Sequence, residues 1–324
     1  MRAAAGRGWW LLLWVGLLVA PAFAQPTSSE PADVVWESAW QKKGFRIIPY
    51  GSLWADMIYA SERTHPGAYT LFVFSRQQHG EPAFTIDARR TRLGANIEGP
   101  PWDEPAEVRS GGRVEIDFHG NFVTENKANV LLRHAYWELT SPTFRVLVGQ
   151  TWDVVSPLLP GTLNYSVGWA GGNIGFRRTQ FRLERYWKSP RGVTWILQGA
   201  LAQDIVADFP TDPGVRRESS DWPVLQFRAA IAWPSLHSTD SVTVGASGHW
   251  GESGFDFLEV GPPPLNLPPQ DDVRIRTWSW NIDIRWPLGE RAGFQGEFFH
   301  GSNLSSFLGG IGQGVCPCVR RPIR

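Results

Sequence analysis

Hydrophobic and polar positions alternate along much of this chain in short runs, as they do in β-strands. In the run from Arg113 to Phe122, every even position is apolar or glycine and every odd position is charged or polar. Successive side chains of a strand point to opposite faces, so this strand has one apolar and one polar face. A soluble β-sandwich buries the apolar faces together, whereas a membrane β-barrel turns them to lipid and encloses the polar ones.

About eleven segments carry this pattern or a related one. The predicted strands are 46–59, 85–98, 112–122, 129–140, 143–152, 174–187, 193–204, 223–234, 240–250, 273–287 and 290–301. In 273–287, for example, Trp278, Trp280 and Ile282 share one face. The segment 129–140 is ambiguous, because the charged Arg133 and the neighbouring His134 fall on opposite faces.

The lengths of the connections are the second observation. From the fourth predicted strand onward, tight turns such as 189–192 alternate with long stretches such as 153–173 and 205–222. Outer-membrane barrels have short periplasmic turns and long outer loops, whereas a sandwich has no reason to alternate in this way. The connection 99–111 is an exception, because it should be short. Together these patterns predict an all-β fold, an antiparallel transmembrane β-barrel.

The beginning of the chain predicts export. Arg2 and Arg7 precede an apolar run that ends near Val19, and Ala22-Phe23-Ala24 forms an A-x-A cleavage site. The apolar run is shorter than the ~20 residues that a spanning helix needs, which favours a cleaved signal peptide over an anchor. The predicted organisation is a signal peptide at 1–24, a flexible periplasmic lead-in at 25–44, barrel strands at 45–301, and an outer loop with a truncated tail at 302–324.

Composition narrows the class further. The 18 Trp and 18 Phe residues fit aromatic girdles at the two membrane interfaces. Removal of 1–24 takes away two of the 31 basic residues, so the mature charge is 29 − 31 = −2 and no nucleic-acid partner is predicted. Cys316 and Cys318 offer too few ligands for a zinc site, so no metal or cofactor is predicted. Enzyme motifs are missing, and no catalytic residue is assigned.

The end of the chain predicts an incomplete barrel. The last strand, 290–301, is followed by a glycine-rich stretch without alternation. An odd count of about eleven strands leaves two edges unpaired, while a porin uses roughly sixteen. We therefore expect an open sheet with 290–301 at one edge and the tail outside it. The alternative is that 45–301 closes by itself into a small irregular barrel.

Several of these segments also resemble a known family. Ala88–Gly94 followed by Gly112–Phe118, and Leu132–Leu139 followed by Val148–Trp152, are similar to strands of DcaP-like porins and, more distantly, of phosphate-selective porins. The similar region covers roughly 46–187. The resemblance implies a homotrimeric outer-membrane barrel of about sixteen strands, in a Gram-negative cell, that passes small and often anionic solutes. The chain departs from the pattern in its ending and in lacking a long N-terminal helical segment.

The polar faces supply the candidate site. The predicted pore-lining residues are Arg90, Arg92, Arg113, Glu115, Asp117, Arg145, Arg178, Arg182, Glu184, Arg228, Asp283 and Arg285. Two arginine rows, Arg90 with Arg92 and Arg178 with Arg182, would lower the barrier to anions in a narrow channel. The other interpretation is that these arginines pair with acids across strands and stabilise the wall.

The long connection after 143–152 is the candidate constriction. It contains Pro157, Leu158, Tyr165 and Trp169, and it is too apolar to extend freely into water. It could fold into the barrel as a constriction loop, or pack against a neighbouring subunit.

The sequence therefore predicts a porin, a passive outer-membrane channel for small hydrophilic and preferentially anionic solutes, surrounded by outer-membrane lipid. Two other hypotheses remain open. One is a secreted all-β domain that binds or hydrolyses carbohydrate through exposed tryptophans. The other is a barrel that does not conduct.

Overall fold

The protein is built almost wholly of β-strands. The computed structural model describes residues 40–65, 67–68, 70, 72–77, 80–103, 107–120, 126–159, 161, 173–205, 215–236, 238–258 and 269–307. Within these ranges the helical structure is one short 3₁₀ turn, Ser305–Phe307. No helix in the described part of the chain is long and apolar enough to cross a bilayer.

The strands are numbered in chain order. They are β1 Trp40–Lys42, β2 Phe45–Ser52, β3 Asp56–Ala60, β4 Thr64–His65, β5 Phe72–Val73, β6 Ala83–Asp87, β7 Arg92–Asp103, β8 Val108–Asp117, β9 Leu131–Thr140, β10 Phe144–Trp152, β11 Arg177–Lys188, β12 Thr194–Ala202, β13 Val215–Glu218, β14 Val224–Pro234, β15 Ser241–Phe257, β16 Gln270–Pro287 and β17 Gly293–Ser302.

Thirteen of these strands form one antiparallel sheet. Its order is β1-β2-β7-β8-β9-β10-β11-β12-β14-β15-β16-β17, with β13 beside the far end of β15. The hairpins β3–β6 and β4–β5 lie in the connection between β2 and β7. Within the described residues, β1 and β17 lie at opposite ends of the path and do not pair with each other. The predicted open sheet, with the last strand at an edge, is confirmed.

The faces of the sheet are reversed relative to a soluble protein. In β16, Trp280 and Ile282 are 44% and 50% exposed, whereas Asn281 and Asp283 are 2% and 1% exposed. The other long strands repeat this arrangement, with aliphatic and aromatic side chains outside and charged ones inside. An apolar exterior is unfavourable in water. In a bilayer it is favourable, because the apolar side chains contact lipid while the polar groups pair with one another inside. The transmembrane interpretation of the alternating pattern is confirmed.

Connections alternate in length along the whole sheet. β7 extends to Asp103 and β8 begins at Val108, so the one connection that broke the predicted alternation is short as well. The short connections therefore all lie at one end of the sheet and the long ones at the other. At the short end, β1 and β2 are joined by Lys43 and Gly44, both with positive φ (51° and 83°), as a two-residue hairpin turn requires. The sheet thus begins inside the range predicted as a lead-in.

The predicted strand 85–98 is wrong, because it is two strands separated by a turn. The Asp87 carboxylate accepts a hydrogen bond from the backbone N–H of Arg89 at 2.7 Å, and the N–H of Thr91 donates to the carbonyl of Ala88. A short carboxylate that bonds the backbone two residues on competes with strand pairing and starts a turn. Residues 88–91 consequently separate β6 from β7.

The ambiguous strand is explained by a β-bulge. Glu115 pairs with His134 and Ile116 pairs with Leu132, so Arg133 is the extra residue of β9. A bulge allows two consecutive side chains to face the same way. Arg133 and His134 are consequently both buried on the interior face.

Candidate channel interior

The first interior group joins β2, β8 and β9 around one carboxylate. Glu115 accepts a hydrogen bond from the hydroxyl of Tyr50 (2.8 Å) and from the guanidinium groups of Arg113 (2.7 Å) and Arg133 (2.5 Å). Arg133 also reaches Asp117 at 2.6 Å. Two arginines thus meet two acids and one phenol, and every charge in the group has a partner of opposite sign.

The second group lies on β9, β10 and β11. Arg145 bonds Glu138 at 2.6 Å and lies 3.5 Å from Glu184, which also pairs with Arg182 at 3.3 Å. Tyr186 donates its hydroxyl proton to Glu184. Arg145 and Arg182 therefore share one buried acid between neighbouring strands.

The third group is a two-point ion pair that spans β14 to β16. Arg228 donates to the two carboxylate oxygens of Asp283, with N–O distances of 3.1 and 2.6 Å. The pair passes over Gly245 of the intervening strand β15. A Cβ at that position would lie 2.5 Å from Asp283 and 2.7 Å from Arg228, so glycine provides the space that the pair needs.

The connection after β10 folds into the interior. Its backbone N–H groups donate to side chains of the opposite wall: Val154 to Gln226 of β14 at 2.8 Å and Leu158 to Glu297 of β17 at 2.9 Å. Between them, the N–H of Ser156 lies 3.3 Å from the hydroxyl of Ser247 on β15. The residues 153–158 are therefore stretched along strands that are remote from β10 in the sheet order.

The returning limb of the same connection is attached at the same place. Asn173 donates through its amide nitrogen to Glu297 (2.8 Å) and to the carbonyl of Leu158 (3.2 Å). The N–H of Phe176 donates to the carboxylate of Asp153 at 2.9 Å. Glu297 thus holds both limbs of the infolded connection.

The residues after β17 also turn inward, so the expectation that the tail begins outside the sheet is wrong for Asn303–Phe307. Thr277 donates its hydroxyl proton to the Asn303 carbonyl at 2.8 Å, and Phe307 joins a buried apolar cluster with Val155, Ile174 and Val224. The exclusion of these apolar side chains from water is the physical reason for the turn. Residues 308–324, including Cys316 and Cys318, lie outside the described part.

Most of the predicted pore-lining side chains lie on the interior face of their strand. These are Arg92, Arg113, Glu115, Asp117, Arg145, Arg178, Arg182, Glu184, Arg228, Asp283 and Arg285. Arg90 is different, because it lies in the turn before β7 with its guanidinium 4.0 Å from the ring centre of Trp54. It forms no row with Arg92 along one strand. Whether any of these residues lines a pore stays a prediction.

The second predicted arginine row does lie on one strand, but it is buried and paired. Arg178 lies 2.8 Å from Asp153, and Arg182 pairs with Glu184. Of the candidate constriction residues, Pro157 is exposed and Leu158 is half-buried at the infolded limb. Tyr165 and Trp169 lie outside the described residues.

Sequence reasoning assigned no role to three residues that organise this interior: Asp153, Gln226 and Phe307. Gln226 donates to Asp153 at 2.7 Å while it accepts from Val154, so it links the infolded connection to β14. The alternating pattern of its strand indicates that Gln226 faces the interior, but it does not indicate these partners. Asp153 and Phe307 lie in connections, where no periodicity reveals the direction of a side chain.

One acidic cluster lies outside the interior, at the end with the long connections. Carboxylate oxygens of Glu218, Asp256 and Asp272 lie within 4.8 Å of one another. Arg274 pairs with Glu218 at 2.5 Å and lies 3.6 Å from Asp272, so its positive charge already neutralises part of the cluster.

An antiparallel sheet of sequential strands, apolar outside and charged inside, with one connection folded inward, defines the fold of outer-membrane β-barrel channels. The chain is similar in structure to the outer-membrane channel DcaP of Acinetobacter baumannii, with a TM-score of 0.61 and 18% identity, over 84% of this chain and 68% of that one.

Similarity to OmpT of Vibrio cholerae, an outer-membrane protein, is much weaker. A loop-deletion mutant gives a TM-score of 0.31 over 80% of this chain and 94% of that one, and a trimer form gives 0.26 over 80% and 89%, both at 9% identity. No family model and no curated protein matches the chain. The likeness to DcaP therefore assigns the fold.

Proposed function

We propose that the protein is a porin, an outer-membrane channel through which small hydrophilic solutes diffuse passively. The observation that carries the proposal is the reversed sheet: its interior face holds charged groups in three ion-pair groups, and its exterior face is apolar. A wall of this kind presents a polar path to a solute and an apolar surface to lipid. The infolded residues 153–158 would narrow that path.

The position of the tryptophans disfavours the alternative of a secreted carbohydrate-binding domain. Its premise was that exposed tryptophans stack on sugars, yet Trp195, Trp280 and Trp286 lie on the same outward face as Leu197 and Ile282. Tryptophans within an aliphatic face fit a lipid interface better than a sugar platform. A barrel that does not conduct is distinguished from a porin only by measuring current.

The experiment is reconstitution of the purified protein. Stepwise single-channel currents in planar bilayers, together with fractionation in the outer membrane after removal of 1–24, are the expected results. Recovery from the soluble periplasm would contradict the proposal, and membrane residence without current would favour the barrel that does not conduct. Chemical cross-linking in membranes tests the homotrimer that the family resemblance implies.

A preference for anionic solutes is the finer part of the proposal. In the first group the Arg113 side chain is 22% exposed while its partner Glu115 is 1% exposed. In the second group Arg145 is 26% exposed and Glu184 is 2% exposed. Each arginine thus covers an acid, so the positive member of the pair would meet the passing solute.

The test uses reversal potentials in a salt gradient. Replacing Arg113 and Arg145 with Gln is expected to shift the reversal potential toward that of a cation-preferring channel, because each change removes a positive charge from the interior. Arg191→Gln, in the tight turn between β11 and β12, is the matched control for charge and should change little. An unchanged potential in the double variant would make these arginines structural only.

A further inference from the structure

The second segment inside the sheet, Asn303–Phe307, places an aromatic ring against two side chains of the wall. The guanidinium carbon of Arg178 lies 3.8 Å from the ring centre of Phe307. The imidazole of His249 stacks on the same ring at 3.9 Å between ring centres, with 21° between the planes. The ring thus contacts both a cation and a heterocycle, and both contacts are favourable for an aromatic side chain.

The segment is also fixed through its backbone. The carbonyl of Ser306 accepts a hydrogen bond from Arg178 at 2.7 Å, and the carbonyl of Phe307 accepts one from the N–H of Gly175 at 2.9 Å. The first bond reaches the wall strand β11 and the second reaches the returning limb of the infolded connection. The two interior segments therefore form one layer across the polar face.

Arg178 is a charged group with unused binding capacity beneath this layer. Its side chain is fully buried, and its Nε lies 2.8 Å from Asp153. Among the described residues, its Nη1 has no hydrogen-bond partner. A buried donor of this kind can bind an acceptor if one reaches it, and an anion is the strongest acceptor available to a guanidinium.

We propose that Asn303–Phe307 is an interior cap, and that Phe307 is a specificity-determining residue of the channel. The ring narrows the path and shields Arg178 from passing solutes. Without the ring, the path is wider and carries one more accessible positive charge, so small anions pass more easily. This inference rests on the proposed channel function for its current measurements, but not for the chemical test below.

The first test compares two phenylalanines at the end of the sheet. Phe307→Ala is expected to raise single-channel conductance on the order of twofold and to shift the reversal potential toward anions. Phe298→Ala is the matched control, since Phe298 is on the outward face of β17 and 60% exposed. In the Phe307→Ala background, Arg178→Lys should keep the anion shift and Arg178→Gln should remove it. Equal currents and potentials in the two alanine variants would overturn the cap.

The second test needs no current. Phenylglyoxal, a water-soluble arginine reagent, is applied to the folded protein in detergent micelles, and modification of Arg178 is mapped by mass spectrometry. Arg178 should be protected in the wild type and in Phe298→Ala, modified in Phe307→Ala, and modified to a smaller extent in Phe307→Leu, which lacks the flat ring. The leucine variant keeps apolar bulk against Val155, and heat-modifiable migration verifies that each variant is folded. Protection of Arg178 in both folded Phe307 variants would overturn the cap, whereas absence of current in every variant would contradict only the channel proposal.

Discussion

At the scale of the residue, the interior depends on close packing of oppositely charged side chains, and small residues make room for them. Gly94 faces Tyr50, whose ring atoms would lie 2.5 Å from an added Cβ, and Gly245 lies under the pair formed by Arg228 and Asp283. Buried charges are costly unless they are paired in good geometry. The glycines therefore contribute to stability through the contacts that they permit, the Tyr50–Glu115 hydrogen bond and the Arg228–Asp283 ion pair.

Gly245→Ala should destabilise the protein by about 1–3 kcal/mol, because the new methyl group separates Arg228 from Asp283 and leaves buried charges poorly bonded. The measurement is the free energy of unfolding in urea from lipid or detergent. Gly199→Ala is the matched control, because nothing lies within 4 Å of a Cβ built there. Equal stability of the two variants would show that the ion pair tolerates the methyl group.

At the scale of the element, the two faces of each strand have different surroundings: the outward face contacts lipid, and the inward face contacts the polar interior. Leu197→Arg and Ile282→Arg place a charge on the lipid face and should each cost ~2–4 kcal/mol near the bilayer midplane. The measurement is the folded fraction inserted into vesicles. Leu236→Arg, in the short connection between β14 and β15, should insert like the wild type, since Leu236 is 93% exposed at the end of the sheet. Normal insertion of the two strand variants would contradict the membrane assignment.

Both limbs of the infolded connection form hydrogen bonds to one acid, Glu297. Glu297→Ala removes the acceptor of Leu158 and Asn173, so both limbs should become more mobile and the single-channel current should fluctuate between more levels. Noise analysis of bilayer recordings measures this effect. Glu290→Ala, in the exposed turn before β17, is the control. A current as steady as that of the control would mean that other contacts suffice to hold the connection.

At the scale of the whole molecule, the two ends of the sheet differ. The long connections lie at one end and the short turns at the other, which in outer-membrane barrels corresponds to the cell exterior and the periplasm. In a background in which Cys316 and Cys318 are replaced by Ser, Asp221→Cys should react with an impermeant thiol reagent on intact cells. Arg191→Cys should react only after permeabilisation. The reverse result would invert the topology.

The fold was more predictable than the interior, for a physical reason. Strand identity and facing depend on a local period of two, so Trp278 through Ile282 could be oriented from the sequence. The bulge at Arg133 and the turn after Asp87 interrupt this period locally, so the period itself does not predict them. The partners of Arg178 come from a connection and from residues beyond β17, and their positions depend on contacts between residues far apart in the chain.

The β15–β16 hairpin has a consequence for how the protein meets its surroundings. Its strands have 17 and 18 residues, against 9 in β12. At about 3.4 Å per residue they extend far beyond the roughly 25 Å apolar band of a barrel, even when tilted. Among the described strands these two, with β13 beside β15, extend furthest at the end with the long connections. In the outer membrane these two strands would therefore project beyond the lipid headgroups, where a large particle that approaches the cell would contact them before it reaches the bilayer.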